Sequence, residues 1–463
     1  MSRIRIVKGK IYEKVGGDLK YYSEADITEI ASETYAEQSG KEISHTGNPS
    51  KPTAGEIKAK CLVMFRPHDL YKDKPDFGFD WLRSGDSGQK GDNWFGEIMG
   101  LHYEEASCIT PYKDTNAWSR NGKQNPDGYF KKDLAMYDKK LKSYKSFTIS
   151  WKKINKKPYL YPIPTLTLLK GKSALFNLKI EIQEKPKKLT FEFKDKKAED
   201  YLSLNIKEIG DVRKGKYDKY NYFKITCKKS FDQEQFLYVK ADGEICGAIR
   251  IHPNSSAFLK NINVVFLNVS TDISGVIKTG RPVAGGKEFF INCCNQALLI
   301  PNIIEEKTPL DCTGNIFFNK FKSKFTGPSV LQNGKPGQKV TSSDGMKDYL
   351  EGKLKDQFGD KYKGYFVLYF IGEESKWNGF SNYGWTTCVQ FATHNKATIA
   401  HETIHALHLP HTFASVDQDK AVRKYTYKAK NTNNLMDYSH LAGIERFCLF
   451  IWQWNVLNKR IKI

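Results

Sequence analysis

The chain has no run of 18 apolar residues, no Cys-x-x-Cys, and no amino-terminal apolar stretch followed by a small-residue cleavage site. The first absence argues against a transmembrane helix, because a span needs about 20 consecutive apolar residues. The best apolar run, Tyr365 to Ile371, has the length of a buried strand, and a soluble protein is expected. The second argues against a zinc site built on thiolates. Nine cysteines at irregular spacing, with an adjacent Cys293-Cys294 pair, make no disulfide framework and fit folding in a reducing compartment. The third absence argues against a cleaved secretory signal, so the chain is expected to stay in the cytosol or leave by a route that needs none.

Arginine is scarce where charge is dense. The chain carries a net charge of +21, yet residues 1 to 57 hold 8 basic and 9 acidic side chains. Residues 131 to 230 hold 27 basic and 11 acidic ones, a net of +16, and Arg213 is their one arginine. Arginine is the residue that grips phosphate bidentately, so sequence-specific nucleic-acid binding is disfavoured. The lysine field is either a solvated face or an attraction to an anionic surface such as nucleic acid, lipopolysaccharide or an acidic wall polymer.

At 463 residues the chain exceeds the single-core limit of about 250 to 300, and an α+β multidomain protein is expected. Residues 1 to 57 read as a leader with a short helix at Asp26 to Gln38 and a linker from Gly47 to Pro52. Residues 58 to 157 read as an aromatic-rich, β-containing domain with a strand at Cys61 to Arg66; its densest cluster, Phe77 to Arg83, reads as core. Residues 158 to 274 hold seven short runs from Leu166 to Val269, ending with Ile262 to Val269, spaced as in an immunoglobulin-like β-sandwich. From 275 to 463 helix signals return: a helix at Asp344 to Leu354, strands at Tyr365 to Ile371 and Thr386 to Ala392, and a closing helix from Leu441 to Ile461.

The chemistry concentrates in His401-Glu402-Thr403-Ile404-His405-Ala406-Leu407-His408-Leu409-Pro410-His411. On a helix, His401 and His405 stand one turn apart on one face, so both ring nitrogens reach one ion at about 2.0 to 2.1 Å. Glu402 lies beside them, free to take a proton from a zinc-bound water. Pro410 cannot continue a helix, so the chain should leave it near His408 and swing His411 back toward the metal. Asn434-Leu435-Met436-Asp437-Tyr438-Ser439 follows. The chain here resembles the metzincin clan of zinc endopeptidases, whose signature is His-Glu-x-x-His-x-x-Gly-x-x-His and a methionine turn; Leu-Pro-His-Thr-Phe and Asn-Leu-Met-Asp-Tyr are most similar to the pappalysin-type branch.

That resemblance, which covers about the last 185 residues, implies Zn2+ held by His401, His405 and His411. It implies Glu402 as the base, Met436 as the floor beneath the metal, and Tyr438 as zinc ligand at rest or oxyanion donor. It also implies that Thr386 to Ala392 forms the upper rim of the cleft. His408 departs from the pattern, because the family has glycine where the chain turns with positive φ. Either histidine tolerates that angle, or the helix runs on and His408 competes as third ligand; His411 is favoured, since His408 would lie about 10 Å along the axis from His401. The front third loosely resembles leader regions of type VI secretion cargo. The combined expectation is an exported bacterial zinc endopeptidase acting as a toxin. It would be made in the cytoplasm and leave without a cleaved signal; its partners would be a protein or peptide substrate, a secretion apparatus and an immunity protein. The rivals are a cell-wall peptide-crosslink metallohydrolase and a non-enzymatic binding protein with a structural zinc site.

Overall fold

The computed structural model describes residues 59 to 103, 129 to 314, 320 to 413 and 424 to 460. The expected leader, its helix at Asp26 to Gln38 and the linker lie outside the described residues. The remainder is β-rich with few helices, and among the described residues no helix is long and apolar enough to cross a membrane.

Two sheets occupy the first half. One runs in the order Lys60–Pro67, Ser173–Glu184, Gly215–Cys227, Leu202–Leu204, all antiparallel. The other runs Glu208–Ile209, Leu189–Phe193, Gln235–Ala241, Glu244–Ile251, Thr165–Thr167, Gly78–Asp80, with one parallel pairing between Glu244–Ile251 and Thr165–Thr167. Alternation places Phe176, Leu178, Ile180 and Ile182 on one inner face and Leu237, Val239, Ile249 and Ile251 on the other, in one continuous core. Phe77, Phe79 and Trp81 are buried in that same core, as the sequence reading expects. Two strands from the expected aromatic-rich domain therefore complete sheets whose other strands lie more than 80 residues downstream.

The third sheet is mostly parallel: Lys260–Thr271 lies between Leu299–Cys312 and Phe366–Ile371, followed by Thr387–Gln390 and an antiparallel edge, Gly379–Phe380. Here the structure departs from the expected sandwich boundary. Lys260–Thr271 belongs to this sheet, because its near-continuous Val-Val-Phe-Leu run suits a strand buried on both faces. Val264, Phe266, Leu368 and Phe370 face the helices Gly286–Gln296 and Lys396–Ala406. Val265, Leu267, Val269, Val367 and Tyr369 face Met346–Phe358 on the other side. Thr387–Gln390 is also paired on both sides, so the outer strand is Gly379–Phe380 rather than the segment expected to form the upper rim of the cleft.

The closing helix is shorter than the sequence pattern implies. A 3-10 turn at Ser439–Ala442 ends at Gly443, in the left-handed region at φ 68°, and the helix spans only Ile451–Arg460. Between them the backbone is engaged elsewhere: Phe447 and Cys448 N–H donate to the Asn433 carbonyl, and Leu449 N–H donates to Gln296 Oε1.

Candidate metal centre

Helix Lys396–Ala406 begins at a capping box: Asn395 Oδ1 accepts from Thr398 N–H at 3.0 Å, and Thr398 Oγ1 accepts from Asn395 N–H at 3.4 Å. It ends in a Schellman motif. His408 N–H donates to the His405 carbonyl at 2.8 Å, Leu409 N–H to the Ile404 carbonyl at 3.2 Å, and His408 takes φ 67°. Histidine thus occupies the left-handed position that glycine fills in the metzincin pattern, and the helix does not run on. Pro410 follows, and His411 returns to the helix face.

His401, His405 and His411 come together as a buried cluster that could bind a metal ion, their candidate ligand atoms all within 4.8 Å of one another. His405 Nε2 lies 3.1 Å from His401 Nε2 and 2.9 Å from His411 Nε2. His401 Nδ1 donates to the Leu435 carbonyl and His405 Nδ1 to the Leu409 carbonyl, both at 2.8 Å. With those protons on Nδ1, both Nε2 atoms are bare lone pairs facing each other, a repulsive arrangement that a cation between them converts into ligation. Ligands held at about 2.0 to 2.1 Å in a tetrahedron stand about 3.3 to 3.4 Å apart, close to the spacing here. The donor set suits a divalent transition metal ion. Burial, with the neighbouring imidazoles and Arg446 adding to it, holds His401 well below the ordinary histidine range; burial and the same neighbours do so for His411. Burial, and Arg446 in smaller measure, pushes His405 down to about 4, so the rings are neutral and able to ligate.

His408 is not in the cluster; its ring faces Gly384 instead. Buried His394 accepts from Val283 N–H at 3.2 Å and donates to the Phe391 carbonyl at 2.6 Å, a structural role. His440 lies with its ring 6.2 Å from that of Tyr438.

Met436 is fully buried in the turn Asn434 to Asp437, which is closed by Asp437 N–H on the Asn434 carbonyl at 3.1 Å. Its carbonyl accepts from Thr412 N–H at 3.1 Å, which ties the methionine turn to the residue after His411. The Tyr438 ring packs edge-on against His411 at 4.6 Å, and Phe413 stacks on the same imidazole at 4.8 Å. Glu402 is buried, and burial raises its carboxyl to about 8, against the Arg446 charge and a hydrogen bond from the Ser381 backbone.

Four contributors are given no role by the sequence reading. Asp437 is buried and accepts from Lys430, Thr432 and Tyr438 backbone N–H groups and from the Thr432 hydroxyl, which fixes the turn. Arg446, also buried, donates to the Asp437 carbonyl at 3.1 Å and stands 3.3 Å from His401 Nδ1. Ser381 and Tyr383 reach the site from the loop that follows the edge strand, the Tyr383 ring lying 5.9 Å from His405. Asn-Leu-Met-Asp draws attention to Asp437; nothing local marks Arg446, Ser381 or Tyr383. No protein-family model matches the chain, and no curated protein matches it.

Proposed function

We propose that this protein is a zinc-dependent endopeptidase, with His401, His405 and His411 as ligands and Glu402 as general base. The observation that carries the reading is the convergence of three neutral imidazoles, two of them anchored to backbone carbonyls, beside the buried Glu402 carboxyl. A bound zinc ion would act as a Lewis acid and lower the pKa of a water at the site. Glu402 accepts the proton of the attacking water and returns it to the leaving amine. Burial outweighs the Ser381 N–H and the Arg446 charge in the metal-free site, and a bound cation beside the carboxyl would favour its ionised form. Tyr438, its hydroxyl kept protonated by burial and the nearby Glu402 carboxylate, donates to the oxygen on which negative charge develops. A substrate lying extended along the edge strand Gly379–Phe380 would pass beside Glu402, whose Cγ would be 3.1 Å from a methyl group at Gly379. The sheets before residue 260 form, in this reading, an immunoglobulin-like module that binds or spaces rather than catalyses.

The test is zinc stoichiometry and peptide-library cleavage for wild type beside Glu402→Gln. The variant should keep about one zinc per chain and lose about 10²- to 10⁴-fold in turnover. Retained zinc with retained hydrolysis removes Glu402 as the base; zinc with no hydrolysis in wild type leaves the structural-zinc binding protein.

A further inference from the structure

A non-glycine residue in the left-handed region persists only where its surroundings over-determine it. His408, at φ 67°, has such surroundings. Its ring lies against Gly384, itself left-handed at φ 73°, so closely that a Cβ there would stand 2.8 Å from His408 Cε1 and 3.1 Å from Nε2. The two backbones are also joined, since Gly384 N–H donates to the Ala406 carbonyl at 3.1 Å, one of the carbonyls left over at the end of the site helix. Gly384, with no side chain, leaves room for the imidazole.

That loop, residues 381 to 386, joins the edge strand Gly379–Phe380 to Thr387–Gln390. At its start the Ser381 hydroxyl donates to the Thr387 carbonyl at 2.9 Å, Cys388 Sγ stands 3.6 Å from that hydroxyl oxygen and 3.7 Å from the Glu402 carbonyl oxygen, and the Ser381 backbone favours the Glu402 carboxylate. In its middle Asn382 Oδ1 accepts from Tyr383 N–H at 2.8 Å, and the Tyr383 ring meets His405 edge-on at 5.9 Å. Every contact of the loop with the site therefore lies within three residues of the Gly384 anchor.

We propose that His408 is a positioning residue whose ring pins loop 381–386 to the end of the site helix, and that the pinned loop aims Glu402 through Ser381 and sets Tyr383 beside the metal cluster to meet substrate. The catalytic consequence rests on the peptidase reading above; the pinning itself does not. Asparagine tolerates the left-handed turn but has no ring, and glycine tolerates it best, so the two variants separate the turn from the packing.

The experiment uses the full chain with His408→Gly and His408→Asn, without metal and with zinc alone. The readouts are amide hydrogen exchange, zinc content, and kcat and KM on a peptide library. Both variants should keep about one zinc per chain and wild-type protection in the site helix. Exchange at residues 381 to 386 should be faster by about tenfold or more, with kcat falling about tenfold. Unchanged loop exchange in both variants overturns the pinning, as does a wild-type result for His408→Asn. Faster exchange with unchanged kcat and KM overturns the positioning role. If the wild type cleaves no peptide, the peptidase reading fails while exchange still decides the pinning.

Discussion

At Asp80 a buried carboxylate takes a hydrogen bond from the buried Lys140 ammonium at 3.0 Å and another from the Tyr144 hydroxyl at 2.9 Å. At His405 a buried nitrogen faces two others at 3.1 and 2.9 Å. Both clusters cost desolvation. The first answers most of it from within, through opposite charges at Asp80 Oδ2 and Tyr144 and Tyr425 rings 4.7 and 5.4 Å from the ammonium, with Asp80 Oδ1 left without a hydrogen-bond partner. The second brings together lone pairs of one kind and is satisfied only by something brought from outside. The difference separates a polar cluster that holds a fold together from one that could hold a metal ion, although both are built of buried titratable groups.

The sharpest way to break that comparison is to remove one partner from the self-sufficient cluster. Lys140→Met leaves the Asp80 carboxylate buried without its counter-charge and should cost about 3 to 5 kcal/mol, with or without zinc. Adding Asp80→Asn should recover much of the loss. Urea denaturation of the two single variants and the double variant checks this; additive losses would mean that the pair is not coupled.

The histidine cluster should behave the other way. His411→Ala should cost little in chelator, yet abolish zinc-linked stabilisation of about 4 kcal/mol at a thousandfold excess over the dissociation constant. The pH dependence follows from the depressed imidazoles. His405 is pushed from 6.5 to about 4, so between those values the unfolded chain binds more protons than the folded one. The His405 contribution to metal-free stability should thus fall as pH drops from about 6.5 toward 4 and level off below. His405→Ala should make that limb shallower in denaturation curves across the window; an unaltered limb would assign it to His401, His411 and the half-buried His440, which desolvation also pushes to about 4.

Which parts were legible in the sequence follows the range of the interactions. The site helix and the return of His411 arise from local spacing, 3.6 residues per turn and a proline, whereas the four-residue turn at Asn434 to Asp437 is read only from the resemblance. Strand positions such as Leu189–Phe193 and Gln235–Ala241 were visible from alternation. What was hidden is pairing. Nothing near Lys60–Pro67 says that it will lie beside Ser173–Glu184, and an apolar run such as that in Lys260–Thr271 reads equally as a sandwich strand or a central parallel one. Arg446 was hidden too, because the segment around it looked helical and its extended course depends on Asn433 and Gln296, both distant in sequence.

A smaller effect is expected at Tyr438, which touches the ligand cluster without belonging to it. If its hydroxyl donates mainly to the charge that develops during reaction, Tyr438→Phe should lower kcat by about ten- to a thousandfold with little change in KM or in bound zinc. The ring contact with His411 survives in phenylalanine, so loss of metal in this variant would make the hydroxyl a ligand instead. Steady-state kinetics beside zinc analysis distinguishes the two.

The smallest effect belongs to the lysine-rich surface, where charge is neither buried nor convergent. Lys152–Glu181, Lys179–Asp218, Lys188–Glu208, Lys207–Glu199 and Lys214–Glu184 are partly or fully exposed pairs, each worth about 0 to 1 kcal/mol. What remains is a lysine excess that attracts anions weakly and without sequence preference. Because Lys60–Pro67 and Gly78–Asp80 complete these sheets, a fragment beginning near residue 150 would lack two strands, and the full chain is the proper test. It should be retained on heparin at 50 mM salt and released well before 1 M, as the screening length shortens from above 10 Å to about 3 Å. Lys185→Glu, Lys216→Glu and Lys229→Glu together, all at exposed positions, should bring elution earlier. Retention that survives 1 M salt would mean a shaped site rather than a diffuse field, and no retention at 50 mM would make the lysines a solvated face.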